Sequence, residues 1–248
     1  SGDDNPIHVD PAYSSRTRFG RTVAHGMFLF GHFAAAASRW VGGALHVLDQ
    51  QLIFTAPTFA EEDLRLRLEV ADLDDSTLTL RALLHDAAGQ QTAAGTSLVS
   101  ATPQRLPQDE PAAAASPLGF KGMEVGMRAA MTRTVNAGDV AEFRSLFDDP
   151  NPLFRGPDAT VPPALIGGDV SRLLGVELPG PGANWLKQHY CFLAPAPVGS
   201  ELRTTVEISR LRPDKALVNL RNSTTAAGAP IMTGETLVLA ADVIDRSQ

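Results

Sequence analysis

Apolar and polar residues take turns along residues 64–70. Leu64, Leu66, Leu68 and Val70 fall on one face, with Arg65, Arg67 and Glu69 on the other, which is the period of a half-buried strand. The alternation returns at Leu202, Thr204, Val206 and Ile208. A different pattern occupies "GMFLFGHFAAAASRW" (26–40), apolar nearly all round, with Ala and Gly where neighbours must come close. Such a helix belongs in a core rather than on a surface. The first half thus reads as a polar Asn-Pro turn, a buried helix and three or four strands. The second half repeats that order after a lead-in, residues 120–149, that predicts a strand and then a helix from about Ala137. Buried helices followed by antiparallel strands predict an α+β fold in which sheet wraps around helix.

The two halves are copies. "LIFTAPTFAEEDLRLRLEV" (52–70) lines up with "YCFLAPAPVGSELRTTVEI" (190–208), setting Phe54 with Phe192, Pro57 with Pro195 and Leu64 with Leu202 at an offset of 138. Gly95 meets Gly234 at 139, "TVAHGM" (22–27) meets "TVPPAL" (160–165) at 138, and "DDNPIH" (3–8) meets "DPNPLF" (149–154) at 146. Ordered matches at nearly constant offset mark a tandem duplication. Between the copies, "TPQRLPQDEPAAAASPLGF" is rich in Pro and Ala and has no periodicity, as a semi-extended linker would. The expected division is an N-terminal repeat over 1–101, a linker over 102–119 and a C-terminal repeat over 120–248. Nothing before Ser1 matches the second copy's lead-in, and without an initiator Met the chain is expected to be part of a longer one. Two copies paired edge to edge would cover each other's strand edges.

The chemistry-bearing residues lie in the first copy. Asp3 and His8 are five positions apart across an Asn-Pro turn, and a reversal there would let them hold one water between an acceptor and a donor of protons. Asn5 would cap the turn or help to hold a substrate. Gly26 falls at the start of the apolar helix, where unpaired N–H groups and the positive dipole end would polarise a carbonyl oxygen. Together these groups suit conjugate addition of water to an α,β-unsaturated thioester. The second copy keeps Asp149 but places Phe154 at the His8 position and Pro163-Ala164 at His25-Gly26. One working site per pair of repeats is the expectation.

The stretches "SGDDNPIHVDPAY", "FGRTVAHGM" and "FTAP" resemble the (R)-specific enoyl-CoA hydratase, or MaoC-like dehydratase, family, and the resemblance runs over nearly the whole chain. It implies a hot-dog fold, doubled here into a double hot-dog. It also implies catalytic Asp3 and His8, an oxyanion hole at the Gly26 N–H, and a trans-2-enoyl-CoA hydrated to its (R)-3-hydroxyacyl product. Asn5, His25 and Met27 complete the residues expected to bind substrate. Coenzyme A enters as part of the substrate, and no separate cofactor or metal is expected.

Bulk properties narrow the alternatives. A net charge of −7 leaves no basic surplus for general nucleic-acid binding. The apolar run at Met27–Ala37 is about half the length of a membrane span. Cys191, the only cysteine, permits no internal disulfide and suits a reducing, cytoplasmic setting; in its strand-like run it reads as buried and inert. His32 reads as a core histidine held by a hydrogen bond. Arg16, Arg18 and Arg21 read as surface charge within reach of coenzyme A phosphates. A metal set of His8, Asp10 and His25 lacks compact spacing. A thioesterase of the same fold and a non-catalytic acyl-CoA-binding or scaffold protein are the competing functions. A homodimer is the assembly to look for.

Overall fold

The computed structural model describes residues 2–106 and 119–245. Two short helical turns, α1 (Pro6–Val9) and α2 (Pro11–Ser14), lead into the long helix α3 (Gly26–Val41). Four strands follow: β1 (His46–Phe54), β2 (Arg65–Leu73), β3 (Thr77–His85) and β4 (Gln91–Ser100). The second copy opens with β5 (Arg128–Thr134) and α4 (Ala137–Phe147), which begins at the expected residue. Its helix start is fixed by a capping box, Asn136 accepting from the N–H of Asp139 while Asp139 accepts from the N–H of Asn136. Helix α5 (Pro163–Arg172) follows, then β6 (Asn184–Phe192), β7 (Glu201–Arg212), β8 (Leu217–Ala226) and β9 (Ala229–Leu239). Helix α5 is shorter than α3 and widens into a π turn at Leu173–Glu177.

Among the described residues, the nine strands form one antiparallel sheet in the order β2-β3-β4-β1-β6-β9-β8-β7-β5. The copies meet edge to edge at β1 and β6, where Asp49 lies opposite Cys191 and Gln51 opposite His189. Order on one side of this seam mirrors order on the other, with β5 added at the far end. Helices α3 and α5 lie together against the sheet and share its core, in which Phe30, Leu52 and Tyr190 are fully buried. This is the expected double hot-dog.

Two matched glycines show why the repeat keeps them. Gly95 on β4 and Gly234 on β9 face Leu52 and Tyr190 of the neighbouring strands. A Cβ at either would strike the carbonyl of the residue before that partner, Gln51 or His189. The strand alternation holds in β7, where Leu202, Thr204, Val206 and Ile208 are all buried. In β2 it fails at its end. Val70 is half exposed because a bulge between Val70 and Asp72 breaks the register. Most of the expected linker, residues 107–118, lies outside the described residues. Among the described residues, no helix is long and apolar enough to cross a membrane.

Candidate active site

The Asn-Pro dipeptide starts a helix here rather than reversing the chain. Asn5 is the N-cap of α1, its side chain accepting from the N–H of Ile7, and Pro6 occupies the first helical position, where a missing N–H costs nothing. One helical turn then carries His8 back over Asn5, whose carbonyl accepts from the His8 N–H at 2.9 Å. Asp3 precedes the cap and accepts the Asn5 N–H at 3.3 Å. Asp3 and His8 therefore converge through helix geometry. Exposed Asp4 takes no part.

The His8 ring is fixed by the carbonyl of Val23, which accepts from Nδ1 at 2.8 Å. With the proton on Nδ1, Nε2 presents a lone pair. Burial above all, and then His25, lower the pKa of His8 to about 4, against opposing pulls from the Val23 carbonyl and Asp3. The ring is neutral at pH 7. His25 stacks on it with centroids 3.8 Å apart, and its Nε2 donates to the Asp3 carbonyl at 3.2 Å.

Asp3 is held from the other copy. Its side chain is only 2% exposed, and one carboxylate oxygen accepts the hydroxyl of Ser171, on α5, at 2.6 Å. A carboxylate oxygen of Asp3 and ring nitrogens of His8 and His25 all lie within 4.8 Å of one another. Asp10, considered as a ligand beside His8 and His25, is instead the N-cap of α2, accepting from Ala12 and Tyr13.

The cavity beside this cluster has a volume of about 210 Å³. Asn5, His8, Gly26 and Ser171 give it a polar end; Leu29, Phe54, Leu174, Trp185, Leu186 and Val238 line the rest. Gly26 opens α3, a helix whose first N–H groups have no intrahelical acceptor. The space left by its missing side chain is taken by Phe54, whose Cζ would sit 2.7 Å from a Cβ there. His25 and Met27 line a neighbouring cavity between α3, α4 and α5, with Met27 packed on Gly167. Arg16 and Arg18 border a further cavity that shares Ile7 and Phe19 with the first, and Arg18 pairs with Asp242 at 3.6 Å. Arg21 pairs with Glu62 and lies over the ring of Phe59. His32 is held between rings, edge-on to Phe28 and Phe147, rather than by the expected hydrogen bond.

Ser171 is a residue that sequence reasoning missed, as are Trp185 and Val238. All belong to the copy without His8. The available signal was the duplication itself: if two helices share one core, the helix of one copy must border the turn of the other.

The chain is similar to known proteins. The sequence model of the MaoC-like domain matches residues 1–83. An (R)-specific enoyl-CoA hydratase from Aeromonas caviae is 35% identical over 131 residues, which are 49% of this chain and 98% of that protein. The chain belongs to the MaoC-like dehydratase family. The corresponding enzyme of Rhodospirillum rubrum is 31% identical over 129 residues, 48% of this chain and 90% of its own length. A solved MaoC-like dehydratase superposes with a TM-score of 0.78 at 16% identity, over 96% of this chain and 90% of the other. That likeness extends the double hot-dog over both copies, whereas each single relative answers to about half of this MaoC-like chain.

Proposed function

We propose that this MaoC-like protein is a hydro-lyase that reversibly hydrates a trans-2-enoyl-CoA to an (R)-3-hydroxyacyl-CoA. Its single site belongs to the N-terminal repeat, taken as residues 1–101, and is walled partly by the C-terminal repeat, residues 120–248. The observation that carries the reading is a neutral His8, its Nδ1 bound to the Val23 carbonyl, that lines one cavity together with the start of α3 and stands beside the Asp3 carboxylate. The names of the relatives, (R)-specific enoyl-CoA hydratase and 3-hydroxybutyryl-CoA dehydratase, supply the substrate class and stereochemistry.

In this reading the thioester oxygen accepts from the Gly26 N–H, and the β carbon faces a water held by Asp3 and His8. Nε2 of His8 takes one proton from the water as its oxygen bonds to the β carbon. The electron pair of the double bond moves onto the thioester oxygen, where the start of α3 stabilises it. The resulting imidazolium is a strong acid in this buried place, and it returns its proton to the α carbon. No charge remains on the protein. Asp3 orients the water and steadies the transient imidazolium, while Ser171 positions Asp3. Arg16 and Arg18, at the adjoining cavity, are placed to meet coenzyme A phosphates.

The test follows loss of enoyl absorbance with crotonyl-CoA and a longer enoyl-CoA, beside Asp3→Asn and His8→Gln. Turnover without thiol release that collapses in both variants supports the hydratase. Thiol release would identify a thioesterase, and saturable binding without turnover an acyl-CoA binder.

A further inference from the structure

We propose that Asp49, His189 and Cys191 form a site for a divalent zinc-type cation on the seam between the two repeats. The three project from β1 and β6, the strands that join the copies, and none lines the cavity of His8. Asp49 Oδ2 lies 2.5 Å from His189 Nε2 and 3.2 Å from Cys191 Sγ, and Sγ lies 3.7 Å from Nε2. Zinc bonds of about 2.0–2.3 Å to O, N and S at tetrahedral angles put such donors roughly 3.3–3.6 Å apart. The Asp49–His189 edge must open by less than about 1 Å and the Asp49–Cys191 edge by a few tenths of an ångström on that reckoning. One carboxylate, one imidazole and one thiolate are a donor set zinc favours, with a fourth position left to water or to Glu235, opposite His189 on β9.

Burial does not explain the cluster. Cys191, expected to be buried and inert, is partly exposed, and the His189 side chain is 41% exposed. Symmetry does not explain it either. The 138-residue offset pairs Asp49 with Lys187, Gln51 with His189 and Ile53 with Cys191. The equivalent place across the seam therefore carries Lys187 and Ile53, and its strands pair equally well. The ion would tie Asp49 of one repeat to two ligands of the other.

The experiment titrates the full-length protein, stripped with chelator, with Co²⁺ alone and then with Zn²⁺. The expected result is one Co²⁺ per chain, a thiolate-to-cobalt charge-transfer band, and its loss when Zn²⁺ displaces the cobalt. Since Cys191 is the only cysteine, this band cannot arise from the Asp3, His8 and His25 cluster. Cys191→Ser should abolish the band. His189→Gln should weaken Co²⁺ binding by more than the roughly 10- to 100-fold that loss of an outer partner costs. Absence of the band at saturating Co²⁺, its persistence unchanged in His189→Gln, or one ion per two chains would each overturn the proposal.

Discussion

The cavity beside His8 is about 210 Å³; its counterpart beside Phe154 is about 40 Å³. Both grow from the same turn. Asp149 and Asn151 are as buried as Asn5, and Asn151 crosses to the first copy, donating to the Leu45 carbonyl at 2.9 Å and accepting its N–H at 3.4 Å. Asp149 lies within hydrogen-bond reach of Ser38 on α3, as Asp3 does of Ser171 on α5. The Asp of each turn, and Asn151 besides, thus clip one copy onto the other, whether or not a reaction takes place there. What separates the two places is an imidazole against a phenyl ring, and His25-Gly26 against Pro163-Ala164 at the helix start. The second set fills its cavity and removes both a proton acceptor and the approach to the helix start.

The largest test of this contrast gives the first site the second site's ring. His8→Phe should lower kcat/KM for enoyl-CoA hydration by about 10²- to 10⁴-fold, the usual weight of a general base, while the protein stays folded. Assays of enoyl absorbance beside thermal melts would check both halves of that statement. A melt that collapses along with activity would make His8 structural.

The next effect is on stability against pH. His8 has a folded pKa of about 4, below its unfolded value of about 6.5. Above pH 6.5 neither state binds a proton there and nothing is lost. As pH falls toward 4 the unfolded chain takes up a proton the folded one refuses. Stability should drop by up to about 3 kcal/mol over that window, in denaturant titrations at successive pH values. His8→Phe should remove this part of the slope. If His8 is the base, the acid limb of kcat/KM should lie near pH 4 rather than near 6.5.

Gly26→Ala brings the residue of the second copy to the first. The Phe54 ring must shift, so a loss of about 1–3 kcal/mol is expected, together with a lower kcat from the crowded helix start. Unchanged stability would mean that the ring moves freely. Asn151→Ala should cost a similar or smaller amount, about 1–3 kcal/mol for leaving the buried backbone of Leu45 unpaired. Its kcat should stay near the parent value. A selective loss of kcat would give the Phe154 side a part in turnover.

Much of this was legible in advance because it repeats or alternates. The duplication, helix α3, the start of α4 and the inward face of β7 follow from spacing along the chain. Convergence of Asp3 and His8 was legible too, though through the wrong device, since Asn5 and Pro6 start a helix where a reversal was expected. What stayed hidden joins distant residues. Ser171 meets Asp3 from 168 positions away, and Asn151 reaches Leu45 across 106. No local period encodes such pairs. Cys191 was misread for the same reason, since its exposure depends on which face of the seam it occupies.

The Ser171–Asp3 bond also has a consequence in time. During synthesis His8 and Gly26 leave the ribosome long before α5 exists. A nascent chain of about one repeat carries an imidazole and a carboxylate but lacks the Ser171 hydroxyl that holds the carboxylate from the other copy. That hydrogen bond forms only once the later half has been made. Domains commonly fold in order from the N-terminus as they emerge; here the first to emerge waits for the last.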